Sequence, residues 1–133
     1  LKDEYKQTEG DPHVRAKLRQ LRQEKARARM MQAVPKADVV ITNPTHYSLA
    51  LQYDPDTMDA PVLLAKGVDD VAMRIREVAK EHDIPLYENK PLARALYDTV
   101  EIDQMIPPEH YRAVAEVISY VFQLKGKLKP KTS

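Results

Sequence analysis

Cysteine is absent from the 133 residues, which excludes a disulfide scaffold and any thiolate-held metal and leaves a fold held by its core alone. No apolar run approaches the roughly 18 to 20 residues that a membrane span needs, and no signal-peptide pattern opens the chain. This stretch is therefore expected to be soluble. There is no internal repeat, and no low-complexity tract apart from a Lys-rich end. His13, His46, His82 and His110 are scattered without metal-ligand spacing or an accompanying carboxylate pattern, so neither a metal nor a cofactor is expected. Neither Ser48 nor Ser119 lies in a nucleophile-elbow signature, which argues against a hydrolase.

What is present is enough chain for one compact domain and an appendage, with 43% of residues hydrophobic. The formal net charge is +1, but its distribution says more than its sum. Residues 13–29 hold seven Lys or Arg against Glu24 alone, a local net of +6. Residues 30–124 hold eight basic and fifteen acidic residues, a local net of −7, and Lys125, Lys127, Lys129 and Lys131 make the end basic again. An acidic globule is expected between basic ends. The chain opens at Leu1 rather than Met, as a piece of a longer protein would.

Residues 1–11 are polar and read as a linker. Residues 12–34 read as a basic connector helix, with Pro12 in its first turn, a thin stripe of Val14, Leu18 and Leu21, and Pro35 as its stop. The globular domain is expected over 35–124, followed by a basic tail at 125–133. Within the domain, 38–42 is a short buried strand carrying Val39, Val40 and Ile41. From His46 to Tyr53, Tyr47, Leu49, Leu51 and Tyr53 alternate with His46, Ser48, Ala50 and Gln52, the period of a strand covered on one face. Residues 54–61 form a loop, and a third strand over 62–65 ends at Gly67. The spacing of Val71, Ala72, Ile75, Val78 and Ala79 predicts a helix over 69–82, with Asp69 or Asp70 as N-cap. A strand at 86–88, a brief helix from Pro91 to about Asp98, and a final helix from near Pro108 complete the pattern. That last helix is expected to present Tyr111, Val114, Ala115, Ile118, Val121 and Phe122 on one face. Interleaved strands and helices predict an α/β fold, a sheet of about four strands covered by helices and preceded by the long basic helix.

The chemistry concentrates between the first two strands, at Thr42-Asn43-Pro44-Thr45-His46. An Asn amide nitrogen can attack its own main-chain carbonyl, close a succinimide and expel the next residue's nitrogen, which breaks the chain. The usual rival, attack by the following backbone nitrogen on the Asn side chain, needs an N–H that Pro44 lacks. Proline also restrains Asn43 towards extended conformations. Holding the reacting groups in contact supplies up to about 7 to 11 kcal/mol in the best-aligned intramolecular cases. Departure of the proline nitrogen needs a proton and stabilisation of the carbonyl oxygen. His46 is the candidate for proton transfer and Thr45 for a hydrogen bond or the turn, with backbone N–H groups as the alternative oxyanion donors. Taken alone, Asn-Pro is a common turn dipeptide, and most such bonds are inert.

Asn43-Pro44-Thr45-His46 between two strands resembles the hallmark of the FlhB family of export-switch proteins, in their cytoplasmic domain, together with the injectisome relatives YscU and SpaS of type III secretion. The likeness extends to Glu9-Gly10-Asp11-Pro12, Ala50-Leu51-Gln52-Tyr53-Asp54, Ala60-Pro61, Ala65-Lys66-Gly67, Arg74-Ile75-Arg76-Glu77, Pro91 through Tyr97, Ile106-Pro107 and Ala113 through Val117. Tyr47 and Gln52-Tyr53-Asp54 lean towards the flagellar branch. The resemblance implies a domain hung from four transmembrane helices on the cytoplasmic face of the bacterial inner membrane, cleaving itself between Asn43 and Pro44 and staying assembled afterwards. It implies a part in switching export from rod and hook to filament proteins. The implied partners are the gate protein FlhA, the hook-length control protein, export substrates and their chaperones, and the protein's own transmembrane domain. Such a chain acts once and is not a turnover enzyme. The alternative is an adaptor of a secretion apparatus in which the Asn43-Pro44 turn stays intact.

The basic helix has three readings: an element near anionic headgroups, where each well-placed cation contributes about 1 kcal/mol; a solvated connector; or a nucleic-acid binder. Connector and membrane proximity are favoured equally. Nucleic acid is set aside as a partner because the adjoining acidic globule repels phosphate.

Overall fold

The computed structural model describes residues 10–44 and 46–128. Residues 1–9 of the expected linker, Thr45, and residues 129–133 of the expected tail lie outside the described residues. By its internal contacts the chain divides into two compact units, one ending at Gln32 and one beginning at Ala33.

The first helical element named among the described residues, α1, is Pro12–Ala33. Asp11 Oδ1 accepts from the His13 N–H at 2.8 Å, as a side chain at a helix N-terminus does. Its residues from Arg15 to Arg29 are solvent-exposed, Leu18 and Leu21 included. Pro35 ends the α-helical hydrogen bonding as expected, but the chain adds one tight 3₁₀ turn at Val34–Lys36 before the sheet begins.

Four strands follow: β1 Val39–Asn43, β2 Tyr47–Gln52, β3 Val62–Val68 and β4 Leu86–Glu88. Their order is β3-β2-β1-β4. β2 lies antiparallel to both β1 and β3, and β4 lies parallel to β1. The helices are α2 Asp69–Glu81, α3 Lys90–Thr99 and α4 Tyr111–Leu128, the last entered through a 3₁₀ turn at Pro108–His110. Asn89 caps α3, its side chain accepting from the Leu92 N–H at 3.2 Å. One sheet face carries Val39, Ile41, Leu49, Leu51 and Leu63 into a core with Leu92 and Leu96 of α3 and Val114, Val117, Ile118 and Val121 of α4. The other face lies under α2, whose Ala72, Ile75, Val78 and Ala79 are buried. The result is the α/β layering that the sequence predicts.

Four local expectations differ. β2 is not half-covered: Ser48 and Ala50 are as buried as Leu49 and Leu51, because α2 packs closely over these small side chains. Gly67 lies inside β3 rather than at its end. A Cβ there would overlap Val71 Cγ1, so the glycine admits α2 instead of stopping the strand. Neither Asp69 nor Asp70 is the cap of α2: Val68 occupies that position without a side-chain capping bond, and Asp69 has a left-handed backbone with φ of 52°. On α4, Val117 joins the buried stripe while Tyr111, Ala115 and Phe122 stay exposed, which rotates the core face from the one expected. A register shift opposite Ala50 and Leu51 leaves Leu64 as an extra residue in β3, so Leu63 turns to the α3 side while Ala65 pairs with Ala50.

Candidate functional site

β1 and β2 are consecutive strands whose last pair is Asn43 with Tyr47, so the Asn43-Pro44 bond opens the hairpin tip. Asn43 ends a strand, the extended state that a following proline imposes. Pro44 and His46 are exposed and Asn43 is half-buried. Of the four residues singled out from sequence, Asn43, Pro44 and His46 meet in this one turn. Thr45 lies outside the described residues.

The His46 backbone N–H donates to the Asn43 carbonyl oxygen at 3.0 Å. This is the carbonyl whose carbon the Asn43 side chain would attack. A fixed N–H at 2.7 to 3.1 Å, where negative charge would develop, is what an oxyanion needs, with no reorganisation at the moment of reaction. Residue types cannot reveal such a donor, because every residue except proline carries one. The sequence signal was only a turn tight enough to bring residue 46 back over residue 43.

The flanks of the turn are pinned from two sides. Ahead of it, the Thr42 carbonyl accepts from the Asn89 N–H at 3.0 Å, which extends the β1–β4 pairing to the base of α3. Behind it, the His46 carbonyl accepts from the Asp69 N–H at 3.0 Å, which extends the β2–β3 pairing to the start of α2. The His46 ring lies beside Asp69, with Nδ1 3.9 Å from the carboxylate oxygen Oδ1.

Below the tip, the Tyr47 and Tyr97 rings pack at a tilt of 34° with centroids 4.8 Å apart. Lys66 Nζ sits 5.0 Å from the Tyr97 ring centroid and donates to the carbonyls of Tyr97 and Val100, each at 2.9 Å. A cation at the end of α3 answers the partial negative charge of its terminal carbonyls. On the α2 side, the Ser48 hydroxyl donates to the Ala72 carbonyl at 3.0 Å and accepts from Arg76 Nη1 at 3.1 Å. Ser48 is thus a satisfied buried hydroxyl that ties β2 to α2. Leu92, Ala93 and Leu96 of α3 are core, with Arg94 exposed and Tyr97 half-buried. The last helix is not core alone: Tyr111 and Ile118 line a shallow groove of about 300 Å³ with Tyr53, Ala60 and Pro61, away from the hairpin tip.

The model of the FlhB HrpN YscU SpaS family matches residues 1–121. The flagellar biosynthetic protein FlhB of Bacillus subtilis is 58% identical over 128 residues, which are 96% of this chain and 36% of that protein. FlhB of Salmonella typhimurium is 57% identical over 125 residues, 94% of this chain and 33% of that protein. The chain thus spans about a third of the length of these relatives. Among solved structures, the cytoplasmic domain of FlhB from Shewanella putrefaciens matches at a TM-score of 0.72 and 49% identity, covering 78% of this chain and 84% of that one. An EscU C-terminal domain matches at a TM-score of 0.66 and 30% identity, covering 69% of this chain and 98% of that one.

Proposed function

Because the chain belongs to the FlhB HrpN YscU SpaS family, we propose that it is the cytoplasmic regulatory domain of a flagellar protein-export apparatus and that it cuts itself once, between Asn43 and Pro44. The observation that carries this reading is the His46 N–H held 3.0 Å from the Asn43 carbonyl oxygen at the tip of a hairpin. The Asn43 side-chain nitrogen bonds to the Asn43 carbonyl carbon, the bond to Pro44 nitrogen breaks, and one proton moves from the former nitrogen to the latter. The His46 N–H stabilises the charged oxygen, and the His46 side chain transfers the proton. Pro44 closes the deamidation route.

In the export apparatus, the cut alters the surface that the gate protein, the hook-length control protein and arriving substrates or chaperones meet, and export passes from rod and hook to filament proteins. The domain works at the inner-membrane surface, attached to transmembrane segments of the longer protein. Support for a switch rather than a destruction comes from the sheet, since β1 is paired along both sides by β2 and β4.

Intact-mass measurement under denaturing conditions tests the cut. The expected products are residues 1–43 and 44–133, the second with a prolyl amino terminus, and Asn43→Ala should remain a single species. A chain that stays whole on long incubation in mild alkali would leave the adaptor reading in place. Cleavage of the Asn43→Ala chain at the same bond would sink the proposed chemistry.

A further inference from the structure

The position of Asp69 is unusual in three respects at once. Its backbone is left-handed, with φ of 52°, a conformation that non-glycine residues adopt at a cost and that Asp and Asn tolerate best. Its N–H is engaged by the His46 carbonyl at 3.0 Å, continuing the β-ladder one step past the Tyr47–Val68 pair. Its carboxylate stands 3.9 Å from His46 Nδ1. The strained residue therefore grips the main chain of His46 and faces the ring of the same residue.

The ordinary role for an acid here is to meet the positive end of α2. Asp70, the next residue of that first turn, supplies such a charge as well, so the helix alone does not call for a left-handed Asp69. Lys66 is bound to the end of α3 and Arg76 to Ser48. Tyr47 has its ring centroid 6.1 Å from that of His46 and packs at a tilt against Tyr97. Among the described residues, the carboxylate placed beside the His46 ring is that of Asp69.

We propose that Asp69 is a positioning residue for the self-cleavage, acting through His46. This rests on the reading of the preceding subsection. A small rotation of either exposed side chain closes the 3.9 Å gap to hydrogen-bond reach, and the carboxylate then holds the proton of the neutral imidazole on Nδ1 and leaves the Nε2 lone pair to act. Nε2 takes the proton from the Asn43 side-chain nitrogen as that nitrogen bonds to the Asn43 carbonyl carbon, and returns it to Pro44 nitrogen as the carbon–nitrogen bond breaks. The proton balance closes within the turn, and His46 ends as it began. An exposed imidazole with no partner would divide its time between tautomers and rotamers, and only a fraction of molecules would be competent at any instant. A carboxylate behind a histidine removes that loss in other acid–base sites.

The test uses the given chain, made in a short labelled pulse of cell-free synthesis, with the appearance of residues 44–133 followed on denaturing gels. Asp69→Asn and Asp69→Gly both accept a left-handed backbone, so they remove the charge while keeping the turn, and thermal melts report whether the fold survives. Each should slow cleavage about tenfold, a part of the hundredfold or more that positioned proton transfer contributes. In the His46→Ala background, Asp69→Asn should change the rate by less than about twofold, because the residue it acts through is gone. Variants that keep the parent's rate, or an equal slowing with and without His46, would overturn the proposal. If the parent itself is never cut, the self-cleavage reading fails instead. A second measurement does not depend on the rate: nitrogen NMR of His46 in the uncut Asn43→Ala chain, in mild alkali, should show the Nδ1–H tautomer predominating, and adding Asp69→Asn should remove that preference. A predominant Nε2–H tautomer in the Asn43→Ala chain overturns the proposal, whatever the variants do.

Discussion

Replacing Gly67 by Ala tests how closely α2 must approach the sheet behind the hairpin. Gly67 lies in β3 opposite Ser48. A Cβ there would overlap Val71 Cγ1 and stand 2.8 Å from Val71 Cβ and 3.1 Å from the Ala72 nitrogen. Carbon atoms rest at about 3.5 to 4.0 Å from one another. A rotamer change can withdraw Cγ1, but Cβ and the Ala72 nitrogen are fixed to the helix backbone, so α2 itself must retreat by about 1 Å to restore ordinary contact. That retreat stretches the 3.0 Å bond from Ser48 to the Ala72 carbonyl and thins the packing of Ile75 and Ala79, both fully buried. Overpacking of this kind costs about 1 to 3 kcal/mol, and each kcal/mol lowers the melting temperature of a domain this size by about 4 to 8 °C. Urea unfolding followed by circular dichroism, in the Asn43→Ala background so that the chain stays whole, should show a lower midpoint with an unchanged slope. In a further Val71→Ala background the same glycine substitution should cost less, because the shortest contact has been removed. A Gly67→Ala midpoint within about 0.5 kcal/mol of its parent, or an equal cost in both backgrounds, would refute the argument.

Lys66→Met keeps the length of the stem but leaves the carbonyls of Tyr97 and Val100 without their donor. It should cost about 2 kcal/mol in the same urea assay, and an unchanged midpoint would show that the end of α3 does not depend on this cation. Asn89→Ala removes the side chain that accepts from the Leu92 N–H and should cost about 1 kcal/mol, whereas Asn89→Gly should cost only a few tenths. Equal losses for the two would count against a capping role. Asn43→Ala removes the attacking nitrogen and should abolish the prolyl amino terminus at position 44, as amino-terminal sequencing of the incubated chain would show.

The strands on either side of Asn43-Pro44 were legible because Val39-Val40-Ile41 and the alternation from Tyr47 to Tyr53 are local patterns. What covers the second face of a strand is not local. Ser48 and Ala50 have the sizes and spacing of solvent-facing residues, yet α2, more than twenty residues on, lies against them. Gly67 reads as punctuation along the chain and proves to be clearance for Val71 once α2 folds back. The same limit holds in the turn. Asn43, Pro44 and His46 stand out by side-chain type, whereas the donor nearest the Asn43 carbonyl is a backbone N–H, and Asp69 reaches His46 only through the pairing of β2 with β3.

Because β1 is an inner strand, a break after Asn43 would convert a single folding unit into a heterodimer of unequal pieces, the shorter one supplying the middle of the sheet. Its melting temperature would then fall on dilution, as that of an uncut chain does not. Exchange of the short piece between molecules would require the sheet to open on both sides of β1. Each cut molecule would therefore keep its original partner piece for as long as it stays folded, and the break would serve as a one-way record of that molecule's history.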